Sequence, residues 1–134
     1  MRSQIFLKKL ESQAMKLSPH AEAYLRFLRL STAIEEMPGF EHLDANHKAL
    51  FEAAAVHWAA GEPLTVREMI DQSELGSPAT LHKRLQSLIA QDFLKAESEA
   101  ADRRTKYISP TPKGLKYAHW LGDKLLKSTM ANAK

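Results

Sequence analysis

Of the four hydroxyl–proline pairs in this chain, Ser18-Pro19, Ser77-Pro78 and Thr111-Pro112 are each followed by a helical pattern, while Ser109-Pro110 ends an extended run. A serine or threonine at a helix N-cap accepts hydrogen bonds from the unpaired amides of the first turn, and proline suits the first helical position because no N–H is needed there. Each of those three pairs therefore marks a helix start. Between the second start and the third, Ser77 to Gly114, the pattern passes from one amphipathic helix into two short strands around a charged loop.

In that helix, at about 100° per residue, Leu81, Leu85, Leu88 and Ile89 fall on one side while Ala79, Thr80, Lys83, Gln86 and Ser87 fall on the other. The outer side holds small residues, hydrogen-bonding groups and a cation, with no carboxylate. A face of that kind can approach phosphates, although an ordinary solvated face can share the pattern. Gln86 suits an adenine edge, Lys83 a guanine or a phosphate, and the Thr80 methyl a thymine. Beyond the helix, Phe93 to Ser98 and Thr105 to Pro110 read as strands, and the loop Glu99 to Arg104 ends in Asp102-Arg103-Arg104. Adjacent guanidiniums are costly to bury, so both should project into water, where a basic tip can reach a minor groove. Asp102 is expected to orient Arg104 by a bidentate carboxylate–guanidinium pair.

The order helix, then hairpin, suggests a DNA reader, and the surrounding residues carry a family resemblance. Leu64-Thr65 opens a first short helix, Ser77-Pro78-Ala79-Thr80 opens a second containing Leu88, and Asp102-Arg103-Arg104 is followed seven residues after Arg104 by Thr111-Pro112-Lys113-Gly114. This segment resembles the winged helix-turn-helix of the MarR-type transcriptional regulators. The resemblance implies a mainly α fold with a small β-hairpin wing. It also implies DNA contacts from Ser77, Thr80, His82, Lys83, Gln86, Ser87, Arg103 and Arg104, with the second helix in the major groove and Arg104 in the minor groove. The chain departs from the family where glycine is usual and Asp92 stands, where leucine is usual and Pro110 stands, and near Ala96, where arginine is frequent. Asp92 should still make a left-handed turn, and Pro110 should sit at a strand end.

The remaining helices follow from their spacing. Residues 3–16 carry Ile5, Phe6, Leu10 and Ala14 on one side, a short amphipathic helix expected to pack on a partner subunit or on the last helix. Ser18-Pro19 opens a helix to about Met37, with Tyr24, Phe27, Leu28 and Ile34 on its apolar side. Another runs from about Asp44 to Ala60, with Leu50, Phe51, Ala54, Ala55 and Trp58 inward. Gly61-Glu62-Pro63 breaks it, and Thr65-Val66-Arg67-Glu68 is a capping box for a short helix that buries Met69 and Ile70. Gln72 to Gly76 is the turn of the helix-turn-helix. The last helix, from Pro112, carries Leu115, Ala118, Leu121, Leu125 and Leu126. Residues 1–134 thus read as one winged-helix domain, with 1–43 and 111–134 as dimerisation helices and 44–110 as the DNA-reading part. The resemblance carries over a homodimer.

Charge is uneven: net +4 over residues 1–33, −7 over 34–76, +4 over 77–116 and +2 over 117–134. A basic reading segment beside an acidic support fits one face meeting a polyanion. There is no cysteine, hence no disulfide framework or thiolate zinc site. Six histidines are present, without a His-x-x-x-His pair and accompanying acid, so no metal or other cofactor is expected. No nucleophile sits in a glycine-flanked turn and there is no glycine-rich phosphate loop, which argues against an enzyme. No apolar run reaches the roughly 18 residues of a membrane span, and a soluble cytoplasmic protein is expected. His57, Trp58, His119 and Trp120 are the polar–aromatic pairs that can line a crevice for a small aromatic effector, or serve as core anchors. The competing reading for the whole chain is a winged-helix protein–protein interaction module without DNA binding.

Overall fold

A computed structural model describes residues 17–130; the helix expected over residues 3–16 lies outside them. The described elements are α1 (Pro19–Glu35), α2 (Ala45–Ala59), α3 (Val66–Ile70), a 3₁₀ turn (Ser73–Leu75), α4 (Pro78–Ala90), β1 (Leu94–Glu99), β2 (Asp102–Pro110) and α5 (Pro112–Met130). Ser18 accepts from the Ala21 amide at 3.1 Å and Ser77 from the Thr80 amide at 3.3 Å, so both cap through their first turn as their chemistry requires. Thr111 caps the same way, its hydroxyl oxygen accepting from the Gly114 amide at 3.0 Å. The capping box is complete: Thr65 Oγ1 accepts from the Glu68 amide at 3.1 Å, and Glu68 Oε1 from the Thr65 amide at 3.0 Å. Those bonds hold the Glu68 carboxyl below its usual pKa, the Thr65 backbone bond contributing most.

The core sits where α2, α4, the hairpin and the start of α5 meet. Phe40, Phe51, Phe93 and Tyr117 form a ring cluster, with centroids 5.5 Å apart for Phe40–Phe93 and 5.7 Å for Phe51–Tyr117. Leu81, Leu85 and Leu88 of α4 and Leu50 of α2 are fully enclosed, while Ile89 and Ile70, expected inward, are half-buried at the edge. Helix α1 packs along α5, tied by the Arg26 guanidinium donating to the Ser128 carbonyl at 3.1 Å.

β1 and β2 pair antiparallel from Leu94–Pro110 to Ser98–Lys106, and the segment before α3 joins them through a Thr65–Tyr107 bridge and an Ile108 amide bond to the Leu64 carbonyl at 2.8 Å. Pro110, last in its strand, needs no ladder donor there. Asp92 adopts φ 66°, the left-handed turn expected of it. The turn is closed by the Thr111 hydroxyl donating to the Asp92 carbonyl and by Lys113 Nζ donating to the Gln91 carbonyl at 2.9 Å.

Two expectations change. The hairpin loop is two residues, Ala100-Ala101, so Asp102, Arg103 and Arg104 stand on β2 and not in the loop. Trp58, expected inward, is 38% exposed because α2 ends beside it. On α5, Leu115, Leu125 and Leu126 are exposed, and Gly114, Tyr117 and Ser128 form its buried side. Among the described residues, α5 packs on α1 and the core along that second face, and none of them covers the leucine stripe.

Candidate nucleic-acid interface

With Leu81, Leu85 and Leu88 buried, the 3.6-residue period sends Ala79, Lys83 and Gln86 farthest from the core. Thr80 and Ser87 lie on the flank toward α2, where a recess of about 300 Å³ is lined by His47, Thr80, Lys83, Arg84 and Ser87. His82 lies on the opposite flank. Ser77 caps the helix and donates its hydroxyl to Thr80 Oγ1 at 2.9 Å, so both hydroxyls at this end are engaged with each other.

On the His82 side a groove of about 650 Å³ runs between α3, α4 and the wing, lined by Thr65, Val66, Arg67, Ile70, His82, Arg104, Thr105 and Lys106. Three of those side chains are permanent cations and none is a carboxylate. Arg67 comes from the segment whose sequence is strongly acidic, so the charge blocks understated how far the basic surface extends: folding brings Arg67 out of its block and sets it opposite Arg104.

Arg103 and Arg104 are exposed, and among the described residues neither guanidinium is held in an ion pair. Their position on β2 has a local cause. On β1, Ser98 and Glu99 are neighbours, yet their partners on β2 are Lys106 and Asp102; Arg103, Arg104 and Thr105 bulge between them. Asp102 organises the bulge differently from expectation. Its carboxylate accepts from the Thr105 hydroxyl at 2.7 Å and from the Arg104 backbone amide at 3.1 Å, and makes no pair with the Arg104 guanidinium. The same two bonds, the Thr105 hydroxyl foremost, lower the Asp102 pKa. Fixing the backbone leaves both arginine heads open to a partner.

Solved structures share this architecture across almost the whole chain. The MepR regulator of Staphylococcus aureus bound to ethidium bromide superposes with a TM-score of 0.62 at 14% identity, covering 99% of this chain and 84% of that one. FabT of Streptococcus pneumoniae in complex with DNA gives 0.54 at 13% identity, covering 97% and 80%. MarR of Staphylococcus aureus in complex with salicylate and kanamycin gives 0.53 at 20% identity, covering 96% and 76%. The fold is that of the MarR-type regulators. No protein-family model matches the chain, and no curated protein matches it by sequence.

In a MarR-type fold α3 and α4 are the helix-turn-helix and β1–β2 is the wing, so the residues expected to contact DNA fall on one side of α4 and on the adjoining hairpin. The four residues proposed for an effector crevice are dispersed. Trp58 lines a recess of about 360 Å³ with Pro63, Glu97, Glu99 and Tyr107, against the wing. Trp120 stands on Phe40 at 5.4 Å, with Lys116 Nζ 5.0 Å from its ring. His57 and His119 are exposed. Residues the sequence reading passed over are Arg67, Lys106 and His47. The first two are single cations in mixed surroundings, and the last meets α4 only because the fold closes a gap of 40 positions.

Proposed function

We propose that this chain is a DNA-binding transcriptional regulator that works as a homodimer on a pseudo-palindromic duplex. The observation that carries the reading is the carboxylate-free groove lined by Arg67, His82, Arg104 and Lys106, continuous with the outer face of α4 that bears Lys83 and Gln86. A surface with cations on two elements and an exposed helix between them matches a phosphate backbone flanking a major groove. Thr80, Lys83, Gln86 and Ser87 then address base edges, Ser77 and His82 the backbone, and Arg103 and Arg104 the neighbouring minor groove. Two-fold symmetry sets the two α4 helices about 34 Å apart, one turn of duplex.

The test is binding of the wild type and Arg104→Ala to duplexes selected from random DNA, across a salt series. Arg104→Ala should bind more weakly at low salt, with the slope of log affinity against log salt reduced by about 1. Equal binding at every salt concentration would remove the wing from the interface.

An effector fits the same reading, and the lining sets its chemistry. The Trp58 recess offers two aromatic walls, Trp58 and Tyr107, but also Glu97 and Glu99, so it suits a neutral or cationic aromatic better than an aromatic acid. Thermal shifts with ethidium and with salicylate distinguish the two. A second reading, the protein–protein module, is favoured by the exposed Glu97 and Glu99 on the wing. Passage through a heparin column at low salt without retention would support it.

A further inference from the structure

The α2 flank of α4 holds a chain of hydrogen bonds that ends on Ser87, one of the residues proposed to address base edges. His47, in the first turn of α2, has a side chain only 17% exposed and is engaged at both ring nitrogens. Nδ1 lies 2.8 Å from Asp44 Oδ1, and Nε2 lies 3.2 Å from Ser87 Oγ. Gln91 Nε2 donates to the same Ser87 oxygen at 2.9 Å. Asp44–His47–Ser87–Gln91 thus runs from the N-cap of α2 to the flank of the helix proposed to read bases.

Proton accounting gives this chain a consequence. The Asp44 carboxyl lies below its usual pKa, chiefly through the His47 backbone amide and then through the imidazole, so it is an acceptor. An acceptor at Nδ1 requires that nitrogen to carry a hydrogen, and in the neutral ring Nε2 is then a lone pair. Ser87 donates its only hydrogen to Nε2 and accepts from Gln91, leaving one lone pair free. When the ring is protonated, Nε2 becomes a donor. Both Ser87 lone pairs are then occupied, by His47 and Gln91, and the hydroxyl hydrogen is released.

We propose that His47 is a positioning residue that, through Ser87, sets which base edge α4 reads: an amino group of cytosine or adenine when the ring is neutral, and an acceptor of guanine or thymine when it is charged. This rests on the DNA-binding reading and deepens it. The charged and titratable groups around the ring are Asp44 at its Nδ1, Glu41 and His42 in the preceding loop, and Lys83 and Arg84 from α4. Arg84 is engaged with the Leu75 carbonyl at 3.2 Å. Charge changes at His42 or at the ring itself alter affinity for every duplex alike. The ratio of affinities for two duplexes differing at one base pair cancels that effect and isolates the polarity of Ser87.

The experiment selects duplexes from random DNA with the full chain at pH 5.5 and at pH 8.5, then measures paired competition between the two winners at each pH. For the wild type, the preference at one base pair per half-site should shift by about fivefold or more between the two pH values. Ser87→Ala should erase the shift, and His47→Phe should erase it while leaving Ser87 in place. Selection of the same sequence at both pH values, or a shift that persists in Ser87→Ala, overturns the proposal and leaves DNA binding standing. Selection of nothing at either pH overturns the DNA-binding reading together with this one.

Discussion

Gly114 is where sequence motif and packing meet most tightly. A Cβ added there would lie 2.3 Å from the Phe93 carbonyl oxygen and 3.0 Å from the Phe51 ring, so α5 can start where it does only with glycine at that position. The neighbouring Thr111 hydroxyl accepts from the Gly114 amide while donating to the Asp92 carbonyl, which fastens α5 to the turn after α4. Gly114→Ala should therefore destabilise the protein by about 1–3 kcal/mol, because the obstacle is backbone and cannot rotate away; denaturant unfolding measures it. Tyr117, one turn on, makes a pH prediction. Burial, then the nearby Glu35 and Glu52 carboxylates, push its phenol from 10.0 up to about 12. The folded state favours the neutral form, so this contribution is fully present below pH 10 and is lost as pH rises toward 12. Unfolding free energy should fall between those values, and fall less in Tyr117→Phe. The Thr-x-x-Gly spacing was legible in the sequence, but its reason was not, since the carbonyl that forbids a Cβ belongs to Phe93, far back in the chain.

At the scale of elements, helix starts were the most legible feature because each is decided by a few adjacent residues. Ser18, Ser77 and Thr65 all cap as their chemistry requires, and Asp92 makes its left-handed turn. The wing was less legible. A sequence shows Asp102-Arg103-Arg104 as a charged cluster, and charge alone suggests a loop; the two alanines at 100 and 101 suffice for the turn, and the cluster becomes a bulge on β2. What holds that bulge is short-range: two bonds to one exposed carboxylate. Asp102→Ala should leave global stability nearly unchanged, since the group is at the surface, while amide exchange at Arg104 accelerates by about five- to tenfold. Hydrogen exchange followed residue by residue reads it directly. An Arg104 amide as slow in Asp102→Ala as in the wild type would mean that the β pairing, and not Asp102, supports the tip.

At the scale of the molecule, the described residues of one subunit leave an apolar surface exposed. Tyr24 of α1 is 61% exposed, and Leu125 and Leu126 of α5 are 50% and 63% exposed, with Leu25, Leu28 and Met130 on the same two helices also exposed. A stripe of leucines at helical spacing was visible in the sequence, and the family resemblance assigned it to a dimer contact. Its direction was not visible in the spacing, because spacing reports that one side of a helix is apolar without saying what lies against it. Tyr117 and Ser128 take the intramolecular side of α5, so the leucines face outward. Patches of that kind are uncommon on soluble monomers, and the proposed homodimer gives this one a partner of its own kind through an isologous contact. The double substitution Leu125→Asp with Leu126→Asp places four carboxylates in such an interface and none in the core of the subunit. Sedimentation should then find a monomer whose helical circular dichroism is retained. Binding to a selected duplex should weaken by about 10²–10⁴-fold, because the second half-site is no longer engaged by a tethered reader. A variant that remains dimeric would move the interface off α5, and a monomer that binds the full duplex as tightly as the wild type would separate DNA reading from two-fold symmetry.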